Sequence, residues 1–132
     1  MKHLLIMEDN IPLALEWKSA FETNGYKVTL CHSGDEAIAH LDETTFDLVI
    51  TDMFVPKGRG GLQVIGKLLT MGEVAPPAIA VTGAVGRRTP IQETNHFLEQ
   101  ARRLGASASI EKPFDAPDLV FLANQFWQHL KH

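Results

Sequence analysis

Several apolar runs in this sequence end beside residues that can do chemistry. Glu8 and Asp9 follow His3 to Met7, and Asp52 closes the run Val49-Ile50-Thr51-Asp52. Thr82, with Gly83 behind it, ends another run, and Lys112, followed by Pro113 and Phe114, comes just after Ser107 to Ile110. Brought together, they would form a pocket of three carboxylates, one hydroxyl and one ammonium. Carboxylates so placed repel one another, and either one takes a proton or a cation neutralises them. Hard oxygen ligands with open coordination positions suit Mg²⁺, which keeps waters and also binds phosphate oxygens. A lysine ammonium and a threonine hydroxyl facing such a centre are natural phosphate ligands. A carboxylate can also serve as a nucleophile toward phosphorus. The set therefore reads as a Mg²⁺-dependent site for phosphoryl chemistry on a carboxylate, with Asp52 at its centre.

Those residues meet only if the chain places the ends of its apolar runs side by side. The pattern predicts this. Strands are expected at His3 to Met7, Tyr26 to Cys31, Phe46 to Thr51, Ala78 to Thr82 and, more weakly, Ser107 to Ile110. Between them lie helical patterns. Asn10 is a plausible N-cap with Pro12 in the first turn; Ala14, Trp17 and Phe21 repeat at helical spacing, and Gly25 ends the segment. Ser33 with Glu36 reads as a capping box ahead of Ala37, Ile38 and Leu41. Val64, Ile65 and Leu68 mark a third helix, Thr89 to Leu104 a fourth ending at Gly105, and Asp115 to about Leu130 a last one with Leu119, Leu122, Phe126 and Leu130 inward. Strict alternation of strand and helix implies a parallel sheet with helices on both faces. The expected class is α/β, a flavodoxin-like doubly wound (βα)5 sandwich, in which ligands bind beyond the carboxyl ends of the strands.

Composition narrows the class further. The 132 residues are 45% hydrophobic and 21% charged, ordinary for one folded domain and unlike a disordered chain. Sixteen acidic residues against twelve basic ones give a formal charge of −4, which disfavours general nucleic-acid binding. No apolar run approaches the roughly 20 residues a membrane helix needs. The apolar start is too short for a signal peptide, and Cys31 alone cannot form an internal disulfide, so a cytoplasmic location is expected. A single domain over 1–132 is expected, without a separate output domain.

Glu8-Asp9, Asp52 with Pro56 and Gly60 following, Thr82-Gly83 and Lys112-Pro113-Phe114 stand in order after the expected strands. With these residues the chain resembles the receiver domains of two-component response regulators, over essentially its full length. The resemblance implies that Asp52 accepts a phosphoryl group from a phosphohistidine on a sensor kinase or phosphotransfer protein. It implies Mg²⁺ held by Glu8, Asp9, Asp52 and the backbone carbonyl of Phe54. Thr82 would bond the phosphoryl oxygens and report phosphorylation, Lys112 would pair with a phosphoryl oxygen, and the Lys112–Pro113 bond would be cis. Such a domain is a timed switch, with no turnover on an external substrate, that signals by binding another protein. Self-pairing through the face of the fourth and fifth helices and fifth strand is a further expectation.

Three features depart from that pattern. Receivers usually carry a switch aromatic three positions before the lysine, where this chain has Ser109. Thr82 to Lys112 spans 112 − 82 = 30 positions. That exceeds the usual spacing by about two helical turns and implies a remodelled loop or a longer fourth helix after Gly83. The positions two after Asp52 and two after Thr82, which tune hydrolysis in the family, are Phe54 and Ala84. Neither side chain can orient a water, which predicts a slowly decaying phosphoryl group.

Ser109 keeps open an alternative reading, a pseudo-receiver that binds proteins independently of phosphorylation. A haloacid-dehalogenase-type phosphatase needs a second Asp where Phe54 stands, and no glycine fingerprint for a dinucleotide follows the first strand. The six histidines share no metal spacing apart from His129 and His132, which read as solvated surface. Arg87-Arg88 and Arg102-Arg103 read as surface or partner contacts. Trp17 and Trp127 read as core or partly buried, and Cys31 as a small buried hydrophobe.

Overall fold

The computed structural model describes residues 1–53, 60–82 and 106–130. The helix expected at Thr89 to Leu104, the stretch after Gly83 and both arginine pairs lie outside those residues.

The elements, in chain order, are β1 (His3–Met7), α1 (Ile11–Thr23), β2 (Lys27–Cys31), α2 (Gly34–Glu43), β3 (Leu48–Asp52), α3 (Gly61–Met71), β4 (Ala78–Thr82), β5 (Ala108–Glu111) and α4 (Ala116–Leu130). A short 3₁₀ turn, Gly72–Val74, joins α3 to β4. The strands form one parallel sheet in the order β2-β1-β3-β4-β5, the doubly wound arrangement expected. Among the described residues no helix is long and apolar enough to cross a membrane.

Alternation along each strand sorts side chains to two cores. Leu5, Met7, Val49, Ala78 and Ala80 face α2 and α3, meeting Ala37, Leu41, Val64, Ile65 and Leu68. Leu4, Ile6, Leu48, Ile50, Ile79 and Val81 face α1 and α4, meeting Trp17, Phe21, Leu119 and Ala123. β3 and β4 are buried at every residue, which is why both read as continuous apolar runs.

Local signals hold at the helix starts. The Asn10 side chain accepts the Leu13 N–H at 3.1 Å, and the Ser33 hydroxyl accepts the Glu36 N–H at 3.2 Å. At Gly25 φ is +88°, so glycine makes the turn from α1 into β2 without strain.

Some boundaries move. β2 begins at Lys27 rather than Tyr26, β5 runs from Ala108 to Glu111, and β3 runs from Leu48 to Asp52 rather than from Phe46 to Thr51. The last shift comes from pairing, since Asp52 sits in register with Val81 of β4. Ile38 is only half-buried. Leu122 and Phe126 are half-buried but pack against the core, as expected, and Val120 and Ala123 of α4 are buried in it as well; the side chain of Leu130 lies outside the described residues.

Candidate functional site

The carboxyl ends of the strands bring the chemical residues together. Glu8 directly follows β1 and is fully buried; Asp9, beside it, is half-buried. Asp52 is the last residue of β3 and Thr82 the last of β4, and both are buried. Lys112 directly follows β5 and is half-buried. Backbone hydrogen bonds run the ladders one step past the strands and fix these ends. Glu8 N–H donates to the Cys31 carbonyl at 3.1 Å, Met53 N–H to Val81 at 2.8 Å and Lys112 N–H to Thr82 at 2.8 Å. The Lys112–Pro113 bond is cis, as the family resemblance implied.

Lys112 ties the acids to one another. Its Nζ donates to Glu8 Oε1 at 2.7 Å and to Asp52 Oδ2 at 3.2 Å. Burial by itself would lower the pKa of this ammonium. The hydrogen bond to Glu8 and the charges of Asp52 and Glu8 outweigh burial and hold the pKa above the ordinary lysine value. The other Glu8 oxygen, Oε2, accepts the Asn10 N–H at 3.0 Å. Asp9 is pushed up from the usual carboxylate range by burial and then by the Glu8 carboxylate at its side.

One oxygen from each of Glu8, Asp9 and Asp52 lies within 4.8 Å of the others. Among the described residues three carboxylates meet one ammonium here, and the oxygen donors are hard. That donor set fits a divalent cation such as Mg²⁺. Thr82 Oγ1 is buried and has no hydrogen-bond partner among the described residues. A buried hydroxyl left so costs about 1–3 kcal/mol, which an incoming phosphoryl oxygen would relieve.

Of the residues singled out in the sequence, Glu8, Asp9, Asp52, Thr82 and Lys112 converge at this end of the sheet. Phe54, with its expected carbonyl ligand, and Ala84 lie outside the described residues. Ser109 is half-buried on β5, in register with Ala80 and set back along the strand from Lys112.

Further residues around the site had no clear signal in the sequence. His32, one residue past β2, donates from Nδ1 to the Glu8 carbonyl at 3.0 Å; its place after a strand end was the available clue. Gly61 opens α3 against the end of β3. A Cβ there would lie 2.6 Å from the Asp52 carbonyl oxygen and 2.9 Å from Met53 Cα. Trp17 lies beneath Lys112, with its ring centroid 5.6 Å from Nζ, and stacks on Phe114 at 5.5 Å and 22°.

Comparison with known proteins agrees with this geometry. The family described as response regulator receiver domain matches residues 4–124. The chain is 30% identical over 131 residues to the response regulator SaeR of Staphylococcus aureus, covering 99% of this chain and 53% of that protein. It is 28% identical over 126 residues to the transcriptional regulatory protein CrdR of Helicobacter pylori, covering 96% of this chain and 55% of that protein. The chain thus spans about half the length of these curated relatives. Among solved structures, a Francisella response regulator receiver domain superposes with a TM-score of 0.81 at 19% identity, covering 98% of this chain and 99% of that one. A CheY-like receiver domain from Methanospirillum hungatei superposes with 0.81 at 24% identity, covering 99% and 97%. At these identities the structural matches show the shared fold.

Proposed function

Since this chain belongs to the response regulator receiver domain family, we propose that Asp52 is its phosphoryl acceptor and that the donor is a phosphohistidine on a sensor histidine kinase or phosphotransfer protein. The convergence of Asp52, Glu8, Asp9 and Lys112 at one end of the sheet carries the reading. A carboxylate oxygen of Asp52 attacks phosphorus in line. The P–N bond to the donor imidazole breaks, its electron pair stays on nitrogen, and a C–O–P acyl phosphate forms. Lys112, already 3.2 Å from Asp52 Oδ2, pairs with the transferred group and offsets its charge. Thr82 donates its hydroxyl to a phosphoryl oxygen. Glu8, Asp9 and Asp52, with the Phe54 carbonyl, would hold Mg²⁺, which when bound supplies further charge neutralisation at the phosphoryl oxygens.

The reading makes the domain a cytoplasmic switch that hands its state to another protein by contact, with no turnover on an external substrate. Self-pairing is one form such contact takes. The pseudo-receiver alternative rests on Ser109 alone, while the grouping of Glu8, Asp9, Asp52 and Lys112 supports phosphoryl acceptance.

Intact-protein mass after incubation with Mg²⁺ and acetyl phosphate tests this. One added phosphoryl group is expected, absent in Asp52→Ala and absent with EDTA. If no gain occurs with acetyl phosphate or with a phosphohistidine donor, while Mg²⁺ binding is intact, the acceptor reading fails.

A further inference from the structure

Trp17 lies on α1 and is 1% exposed, among the residues that pack α1 and α4 onto the sheet. As packing alone an indole is a poor choice there. Its Nε1 is buried without a hydrogen-bond partner among the described residues, a cost that a leucine or phenylalanine would not carry. What the indole adds is a face. The Lys112 ammonium stands over that face, 5.6 Å from the ring centroid, within the range of a cation–π contact and on the aromatic residue that makes the strongest one. Phe114 stacks on the same ring at 5.5 Å and fixes its plane. Thus Lys112 is held from two sides, by Glu8 and Asp52 through hydrogen bonds and by Trp17 through its π-face.

We propose that Trp17 is a positioning residue for phosphoryl acceptance: its ring, braced by Phe114, is the floor that keeps the Lys112 ammonium beside Asp52. The ring shields one side of the ammonium from water and limits the rotamers of a long, flexible side chain. Lys112 then has less freedom to lose when the phosphoryl group arrives. This rests on the acceptor reading above, which it deepens by adding a residue from α1 to the site.

The test compares the wild-type protein with Trp17→Phe and Trp17→Leu. The readouts are proton NMR of the Lys112 side chain and the rate of mass gain with Mg²⁺ and acetyl phosphate. A ring current above the indole face moves the Lys112 Hε resonances upfield. We expect that shift in the wild type, a smaller one in Trp17→Phe and none in Trp17→Leu. Phosphorylation should slow in the same order, by about threefold to tenfold for the leucine variant, with the phenylalanine variant partly rescued. Should the leucine variant not fold, the phenylalanine variant and the wild-type spectrum carry the test. Lys112 Hε at ordinary lysine positions in the wild type overturns the contact. A folded Trp17→Leu that phosphorylates at the wild-type rate overturns the positioning role alone. Equal slowing by Phe and Leu also overturns it, because a packing defect predicts no aromatic rescue. No mass gain in any of the three proteins, with acetyl phosphate or with a phosphohistidine donor and with Mg²⁺ binding intact, overturns the acceptor reading, and the positioning role with it; the wild-type spectrum then still reports the contact itself.

Discussion

The Lys112 ammonium reaches Glu8 across the end of the sheet, its Nζ 2.7 Å from Oε1, although 104 residues separate the two. The carboxylate is wholly buried and the ammonium largely so. Burial of this kind makes each partner dependent on the other, because a buried charge without its counterion is far costlier than a pair.

Lys112→Ala should therefore destabilise the metal-free protein by about 3 kcal/mol, by removing the ammonium that pairs with the buried Glu8 carboxylate. Asp9→Asn should act the other way. It removes one of three crowded charges and should stabilise the metal-free protein by about 0.5–1 kcal/mol, while weakening Mg²⁺ binding. Urea unfolding with and without Mg²⁺ measures both. Equal stabilities for the wild type and Lys112→Ala without metal would show that the ion pair is not what holds the acids together.

Two glycines of α3 should respond in opposite directions. At Gly61 a Cβ would lie 2.6 Å from the Asp52 carbonyl oxygen and 2.9 Å from Met53 Cα, backbone atoms that cannot move aside cheaply. Gly61→Ala should cost about 1–3 kcal/mol and slow phosphorylation by displacing the end of β3. Gly66 is inside the helix, and a Cβ added there would meet nothing within 4 Å. Gly66→Ala should stabilise by about 0.5–1 kcal/mol and leave phosphorylation unchanged. Thermal or urea unfolding of the two variants distinguishes them by sign.

Cys31 should be inert in the folded protein. Burial, with a smaller contribution from Glu36, pushes its thiol up to about 12 from an ordinary 9.0. Because the folded-state pKa is the higher one, the thiol's contribution to stability is complete below about pH 9 and is lost as pH rises toward 12. Iodoacetamide at pH 8 should label the protein rapidly in urea and only slowly without it. Labelling at equal rates in the two conditions contradicts the burial of this thiol.

Phe54 and Ala84 offer no polar group to hold an attacking water, so the acyl phosphate should outlast those of receivers that carry one there. Removing the donor and following the phosphorylated mass with time measures the lifetime. Decay with a half-life of seconds would contradict it. Phe54→Glu should shorten the lifetime, since a carboxylate can orient water.

Much of this protein was determined by its sequence alone. Each apolar run is short and bounded by a cap, a glycine or a charged pair, so the alternation of strand and helix was legible. Asp52 and Thr82 then had to stand at strand ends, with Glu8, Asp9 and Lys112 just beyond. Asn10 and Ser33 were readable as caps because a cap is local, a side chain closing on an N–H three residues away. Tertiary structure decided what depends on distant partners. Asp52 joins β3 through its register with Val81, which no window around Asp52 contains. Gly61 had no signal because the constraint on it is the approach of another segment's backbone. Trp17 read as core or partly buried, and it is core, yet its face lies under Lys112 only because α1 packs on the same side of the sheet as α4. Helical period tells which residues turn inward. What they meet there is set by how the layers pack, through contacts between residues far apart in the chain.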